Sequence, residues 1–303
     1  MKPPPFEYFA AESLDEALEV LAVHGDEAKA LAGGQSLIPL LNFRLARPTV
    51  IVDLNRIHDI ARLTPLPNGG IAVGAMARQR DAERSSLISA RAPLVTEAMP
   101  YVAHPQIRNR GTFGGSIAHA DPAAELPAVA LAVDAKFCLR SRERHDRWVE
   151  ASEFFVGPLM TAMQPDELLT EVELPPMPPG AGWAFIEVAR RHGDYALMGV
   201  AAVVALNSQG ECSHVRLTFV NAGGTPLRGR SAEQLVIGQQ PDEELFRAAG
   251  EMAARTDIDP VGDVHATPVY RRQLARVLTV RALEQAFQVA FVALARAGAA
   301  ATV

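Results

Sequence analysis

Apolar positions change their spacing several times along this chain, and the changes divide it into segments. After a proline-rich start, Leu14, Ala17, Leu18, Leu21 and Ala22 recur at helical spacing. Ser13 and Glu16 are placed for a capping box, and Gly25 suits the stop. Residues 28–32 read as a short strand running into Gly33-Gly34. A helix is predicted from Ser36, with Leu37, Leu40, Leu41 and Leu45 on its apolar side and Arg47-Pro48 ending it. Residues 49–54 are β-branched enough for a buried strand, so the first segment reads β-α-β-α-β.

The next segment opens near Arg62 among turn residues. A strand is predicted over 71–77, a helix over 86–102 that breaks at His104-Pro105, and a helix over 122–133. Strands are predicted over 136–140 and 168–174. Pro175-Pro176-Met177-Pro178-Pro179-Gly180 can continue neither helix nor strand and reads as a stiff linker. Beyond it come three long strands, over 183–189, 197–206 and 214–220, and two amphipathic helices, over 242–255 and 267–296. The Ala/Gly-rich tail over 297–303 is expected to fray. Three strands followed by helices predict an α+β domain with helices on one face of an antiparallel sheet.

Composition narrows the function classes. With 303 residues, two or three packed domains are expected. A net charge of -6 argues against a nucleic-acid partner, which would require a concentrated basic face. The basic stretch Arg140-Ser141-Arg142-Glu143-Arg144 reads as a solvated turn. Two distant cysteines, Cys138 and Cys212, support neither an iron–sulfur site nor a zinc site, so no metal ligand is expected here. There is no signal-peptide layout, no uninterrupted apolar run of membrane length and no disulfide framework, so a cytoplasmic chain is expected.

Two glycine stretches point to chemistry. In Ala32-Gly33-Gly34-Gln35-Ser36, adjacent glycines between a strand and a helix start leave room for a ligand beside consecutive amides, an arrangement suited to a pyrophosphate. Alone, the stretch reads sooner as a tight turn than as a ligand site. Arg108-Asn109-Arg110-Gly111-Thr112-Phe113-Gly114-Gly115-Ser116 has the same logic, and the pair favours one shared diphosphate ligand. Neither G-x-G-x-x-G nor a P-loop is present, so a nucleotide fold of another type is indicated.

These stretches, with Val52-Asp53-Leu54, the segment from His104, His119-Ala120-Asp121-Pro122-Ala123-Ala124-Glu125-Leu126-Pro127 and Arg190-Arg191-His192-Gly193-Asp194-Tyr195-Ala196, resemble the FAD-binding medium subunits of molybdenum hydroxylases, of the carbon monoxide dehydrogenase type. That family also includes the flavin region of xanthine dehydrogenase. The resemblance implies an α+β chain: a two-subdomain FAD-binding fold of the vanillyl-alcohol-oxidase kind (1–57 and 58–176), then a C-terminal domain of antiparallel sheet plus helices (177–303).

By the same resemblance, Ala32, Gly33, Gly34, Gln35, Ser36 and Leu37, with Thr112, Phe113, Gly114, Gly115 and Ser116, hold the FAD diphosphate through amides and hydroxyls. Asp121 and Glu125 lie near ribityl or ribose hydroxyls, the bland reading being acids at a helix N-terminus. Tyr195 lies beside the isoalloxazine ring, its rival reading being a core aromatic. Arg108 and Arg110 suit surface or subunit-interface salt bridges better than pairing with phosphate, His104 suits a structural turn, and His119, beside the glycine loop, is a lesser ligand candidate. Where the family often has histidine this chain has Gln35, and where it has an aliphatic residue this chain has Phe113.

No residue of the chain is then required for proton abstraction. The resemblance implies a molybdenum cofactor on a large partner subunit and 2Fe-2S clusters on a small one, in a dimer of heterotrimers. Electrons would pass through FAD to an external acceptor. The alternatives are a stand-alone flavin oxidoreductase, such as the reductase acting on UDP-N-acetyl-enolpyruvylglucosamine, and a flavin-free assembly protein. The first needs a substrate pocket and a proton donor that these motifs do not supply.

Overall fold

The computed structural model describes residues 2–300, with side chains described through Arg296. The first unit is a three-stranded parallel sheet in the order Glu7–Ala10, Val50–Asp53, Ala28–Leu31, with both outer strands paired to the central one. Parallel strands need crossovers, supplied here by the helices Leu14–His24 and Leu37–Asn42. Ser13 caps the first, accepting from the Glu16 amide at 3.2 Å, and Glu16 reaches back to the Glu12 amide at 2.8 Å. Gly25 ends it at φ 50°. The apolar spacing predicts the second helix through Leu45, but it stops at Asn42. Arg44 turns left-handed at φ 58°, and Leu45 closes the turn by donating to the Leu40 carbonyl.

The second unit is a five-stranded antiparallel sheet in the order Leu63–Pro65, Ile71–Gly74, Leu168–Leu174, Lys136–Arg140, Arg147–Glu150. The helix predicted over 86–102 is three pieces, Ser86–Arg91, Pro93–Ala98 and a 3-10 turn Met99–Tyr101. Pro93 removes a helical donor and starts a new turn, so the apolar period survives while the helix axis does not. Leu94, Val95, Ala98 and Met99 still face inward, against the fully buried helix Glu125–Ala132.

The third unit is a four-stranded antiparallel sheet in the order Gly182–Ala189, Ala196–Leu206, Cys212–Val220, Leu227–Arg228. Its second strand is covered on both faces. Ala201 and Val203 pack into the core of the second unit, and Met198, Val200, Ala202 and Val204 pack against the C-terminal helices Glu243–Met252 and Pro268–Ala300. The Thr218 hydroxyl donates to the Ala128 carbonyl at 2.8 Å across the first of these contacts. The short helix Arg230–Val236 has no counterpart in the predicted elements.

Of the tail expected to fray, 297–300 continue the last helix to Ala300, and 301–303 lie outside the described residues. A reading of uninterrupted apolar runs misses that this helix is long and apolar enough, over 268–296, to cross a membrane by length and composition. Packing accounts for its apolar side: Ala275, Leu278, Ala282, Leu283, Ala286 and Phe287 are buried against the sheet.

Candidate functional site

A cleft of about 660 Å³ runs along the junction of the first two units and is roofed by a turn of the third. It begins where strand Ala28–Leu31 ends, at the carboxyl edge of the parallel sheet, where ligands of open α/β sheets commonly sit. Among the site residues expected from the sequence, Ala32 through Leu37, Thr112, Gly114, Gly115, Ser116, Asp121, Glu125 and Tyr195 all line it. Phe113 does not. Its ring is 1% exposed and belongs to the core of the second unit, so its contribution is packing.

The two glycine loops press on each other. A Cβ on Gly33 would stand 2.4 Å from the Arg110 carbonyl oxygen and 2.7 Å from Gly111 Cα, so no larger residue fits there without separating the loops. Gly34 has φ 74°, a left-handed conformation that glycine adopts without cost. Among the described residues, none of the amides of 33–37 donates to a protein acceptor. Five backbone donors beside a cleft, without partners, suit an anionic oxygen-rich ligand.

The second loop differs from the expectation of free amides. Thr112 caps the helix Phe113–His119, its hydroxyl accepting from the Gly115 amide at 3.0 Å. The Phe113 amide donates to the Ala77 carbonyl at 2.8 Å, Gly114 to Ala75 at 2.9 Å and Ser116 to Thr112 at 3.2 Å. A Cβ on Gly114 would stand 2.4 Å from that of Ala75, so this glycine serves the fold and not the ligand's approach. What the second loop presents to the cleft is small surface and the Ser116 side chain.

Asp121 and Glu125 sit on the opposite wall. Asp121 accepts from the Ala123 amide at 2.9 Å in a turn ahead of the helix Glu125–Ala132, and Glu125 stands in that helix's first turn, so Glu125 alone carries the helix-start role while both face the cleft. Burial, with Asp121 adding its charge, pushes the Glu125 carboxyl up to about 7. Glu187, on the sheet of the third unit, is pushed up to about 9 by burial and by Glu125, and its Oε2 has no hydrogen-bond partner. Tyr195 is 67% exposed at the cleft rim, which removes the core-aromatic reading. The turn carrying it is seated by Gly193 (φ 77°), where a Cβ would meet the His104 ring at 2.5 Å. His104 is thus a support, and His119 lines the cleft.

Arg108 is not a surface residue. It is 4% exposed and forms a buried pair with Glu83 at 3.0 Å, while its Nη1 donates to the Val102 carbonyl at 2.8 Å. Lys29, Gln79, Leu159 and Gln164 also line the cleft and escape sequence reasoning. Lys29 sits in a strand of ordinary pattern, and Gln79 follows the isolated bridge Arg78–Thr112. Gln79 Oε1 is buried without a partner, an acceptor facing the loop residue Gly111. Among the described residues no cluster of His, Cys, Asp and Glu could hold a metal ion.

Known proteins resemble this chain in sequence and fold. Residues 4–177 match the family described as the FAD binding domain in molybdopterin dehydrogenase, and 183–286 match the CO dehydrogenase flavoprotein C-terminal domain. The chain is 44% identical to the 6-hydroxypseudooxynicotine dehydrogenase complex subunit alpha of Paenarthrobacter nicotinovorans, over 94% of this chain and 96% of the relative. It is 40% identical to the caffeine dehydrogenase subunit beta of a Pseudomonas species, with the same coverage. Among solved structures it is similar to carbon monoxide dehydrogenase from Hydrogenophaga pseudoflava lacking the Mo-pyranopterin moiety, at 37% identity and TM-score 0.92, covering 95% of this chain and 99% of that one.

Proposed function

Because the chain belongs to the family of FAD-binding medium subunits of molybdenum hydroxylases, we propose that it accepts electrons from 2Fe-2S clusters of a small partner subunit and passes them through FAD to an external acceptor. A large subunit would carry the molybdenum cofactor, the assembly being a dimer of heterotrimers in the cytoplasm. The family's relatives support a multi-subunit setting, since their names describe a complex subunit alpha and medium chains.

The cleft fits FAD on its own geometry. The observation that carries the proposal is the unpartnered row of amides over 33–37, closed from one side by the second loop at the Gly33–Arg110 contact. Those amides and the Ser36 side chain would hold the diphosphate. Asp121 would accept from sugar or ribityl hydroxyls. Tyr195, exposed at the rim, would shield one face of the ring. FAD supplies the redox chemistry when bound; the chain binds it, orients it and limits water at its ring. Glu125, raised by burial to about 7, is protonated in a large share of molecules near neutral pH, and in that form lets the cleft wall donate a hydrogen bond without adding charge.

The free amides speak against a flavin-free assembly protein. The full chain, expressed and purified, is expected to be yellow and to carry about one FAD per chain, released on denaturation. A colourless chain that takes up no added FAD would sink the reading. In the complex with its partners, the flavin absorbance should bleach when the holoenzyme's substrate is supplied; an unbleached flavin would refute the electron path.

A further inference from the structure

The glycine loops are also gripped from outside the cleft. Asn55 Nδ2 donates to the Ala32 carbonyl at 2.9 Å and to Asp53 Oδ1 at 2.5 Å. Arg78 continues the chain of bonds, Nη2 donating to Asn55 Oδ1 at 2.6 Å and Nη1 to the Arg110 carbonyl at 2.5 Å. Asp53 anchors the near end, accepting from the Asn55 amide at 2.8 Å and from the Tyr8 hydroxyl at 2.5 Å. Asn55 and Arg78 are not among the residues lining the cofactor cleft; Asn55 and Asp53 face a second hollow on the other side of the first loop, which shares Ala32–Gln35 and Ile107 with the cleft.

A trans peptide is planar, so a fixed carbonyl fixes the next N–H in the opposite direction. Asn55 holds the Ala32 carbonyl and thereby turns the Gly33 N–H away from itself. Gln35 Nε2, donating to the Gly33 carbonyl at 3.1 Å, does the same for the Gly34 N–H. The Arg110 carbonyl held by Arg78 is the very atom on which Gly33 rests. One series of side chains therefore sets both the aim of the first-loop amides and the gap between the loops. The two bonds from Arg78 go to neutral acceptors; a second cation, Arg110, lies close by, and the carboxylates of Asp53 and Asp81 are near enough to offset part of that charge.

We propose that Asn55 and Arg78 form a positioning bracket that tunes the chain's affinity for the diphosphate of FAD without touching the cofactor. The proposal rests on the FAD reading of the cleft. It adds that residues outside the cleft decide how strongly the phosphates are held.

The test uses the full chain stripped of flavin and titrated with FAD, ADP and riboflavin. Arg78→Met and Asn55→Ala should each weaken FAD and ADP by about ten- to a hundredfold and leave riboflavin within about twofold. The double variant should be at most about twofold weaker than the poorer single variant, because both break one bracket. Arg78→Lys keeps the charge but lacks the fork that reaches two acceptors, so it should not restore affinity, and it should shift the ³¹P resonances of bound FAD.

FAD affinity within about twofold of the parent in folded Arg78→Met or Arg78→Lys chains would overturn the bracket. So would equal losses for FAD and riboflavin, which indicate general loosening. If Arg78→Met does not fold, Arg78→Lys decides alone. A parent chain that binds no FAD would overturn the FAD reading itself, a result distinct from a parent that binds while the variants are unaffected.

Discussion

The two glycine loops have nearly the same composition and opposite internal economies. In the first, the amides of 33–37 have no partner among the described residues, and Gly33 is small because another stretch of backbone lies against it. In the second, four consecutive amides from Phe113 to Ser116 are already bonded, and Gly114 is small because Ala75 lies beneath it. The first loop is organised for a ligand and the second for the fold that holds the first. A double glycine therefore reports close approach, and only the hydrogen-bond inventory tells what approaches.

The contrast can be broken most forcefully at Gly114. Gly114→Val would push into the Ala75 backbone and should destabilise the apoprotein by about 3 kcal/mol or more, seen as a Tm lower by on the order of 10 °C. A normal Tm with lost flavin would reverse the roles assigned to the two loops. Gly33→Val is the complementary probe. It should abolish FAD retention, an affinity loss of about a hundredfold, and, because its Cβ also meets backbone, lower the Tm of the stripped chain too, by less than Gly114→Val because two loops at the cleft edge can part where the packed Ala75 contact cannot. Calorimetric FAD titration and thermal melts of both variants separate the two cases.

The wall beyond the second loop adds a pH dependence that the first loop lacks. Glu125 and Glu187 have carboxyls raised from the ordinary value of 4.5 to about 7 and about 9. Their contribution to stability is complete below about pH 4.5 and is lost as the pH rises through those folded-state values. Tm should fall from pH 6 to pH 9.5, and Glu187→Gln should flatten that fall; an unchanged slope would refute the pairing. Thr112→Val removes the cap on Gly115 and should cost about 1 kcal/mol in stability. Smallest of all, Gln35→Ala should weaken FAD only a few-fold, because it frees one carbonyl while leaving the Gly33 contact intact.

Much of this was legible before the structure. The α-β-α-β run from Leu14 to Asp53, the Ser13 cap, the Gly25 stop and the three long strands follow from periodicity and local signals, whereas the first strand, Glu7–Ala10, is largely exposed and carries no such pattern. The two glycine loops, Asp121, Glu125 and Tyr195 were also within reach of motif reading, whereas Lys29, Gln79, Leu159 and Gln164, which line the same cleft, carry no motif, and Phe113, read as a site residue, belongs to the core. What could not be read has a common cause. The break at Pro93, the left-handed Arg44 and the burial of Arg108 beside Glu83 depend on where other segments pass. The bracket of Asn55 and Arg78 is invisible for the same reason. Its members lie 23 residues apart and resemble ordinary turn and helix-start residues until the chain is folded.

The doubly covered strand Ala196–Leu206 has a kinetic consequence. Tyr195 is attached directly to its first residue, and Ala196 is tied through its carbonyl to the Asn221 side chain at 2.6 Å. A roof rooted in a layer buried on both sides cannot swing aside as a rigid flap without separating two hydrophobic cores. Flavin escape would then follow rare local opening of the 190–195 turn, with a steep temperature dependence. Slow dissociation, more than tight equilibrium binding, would be what keeps the cofactor aboard.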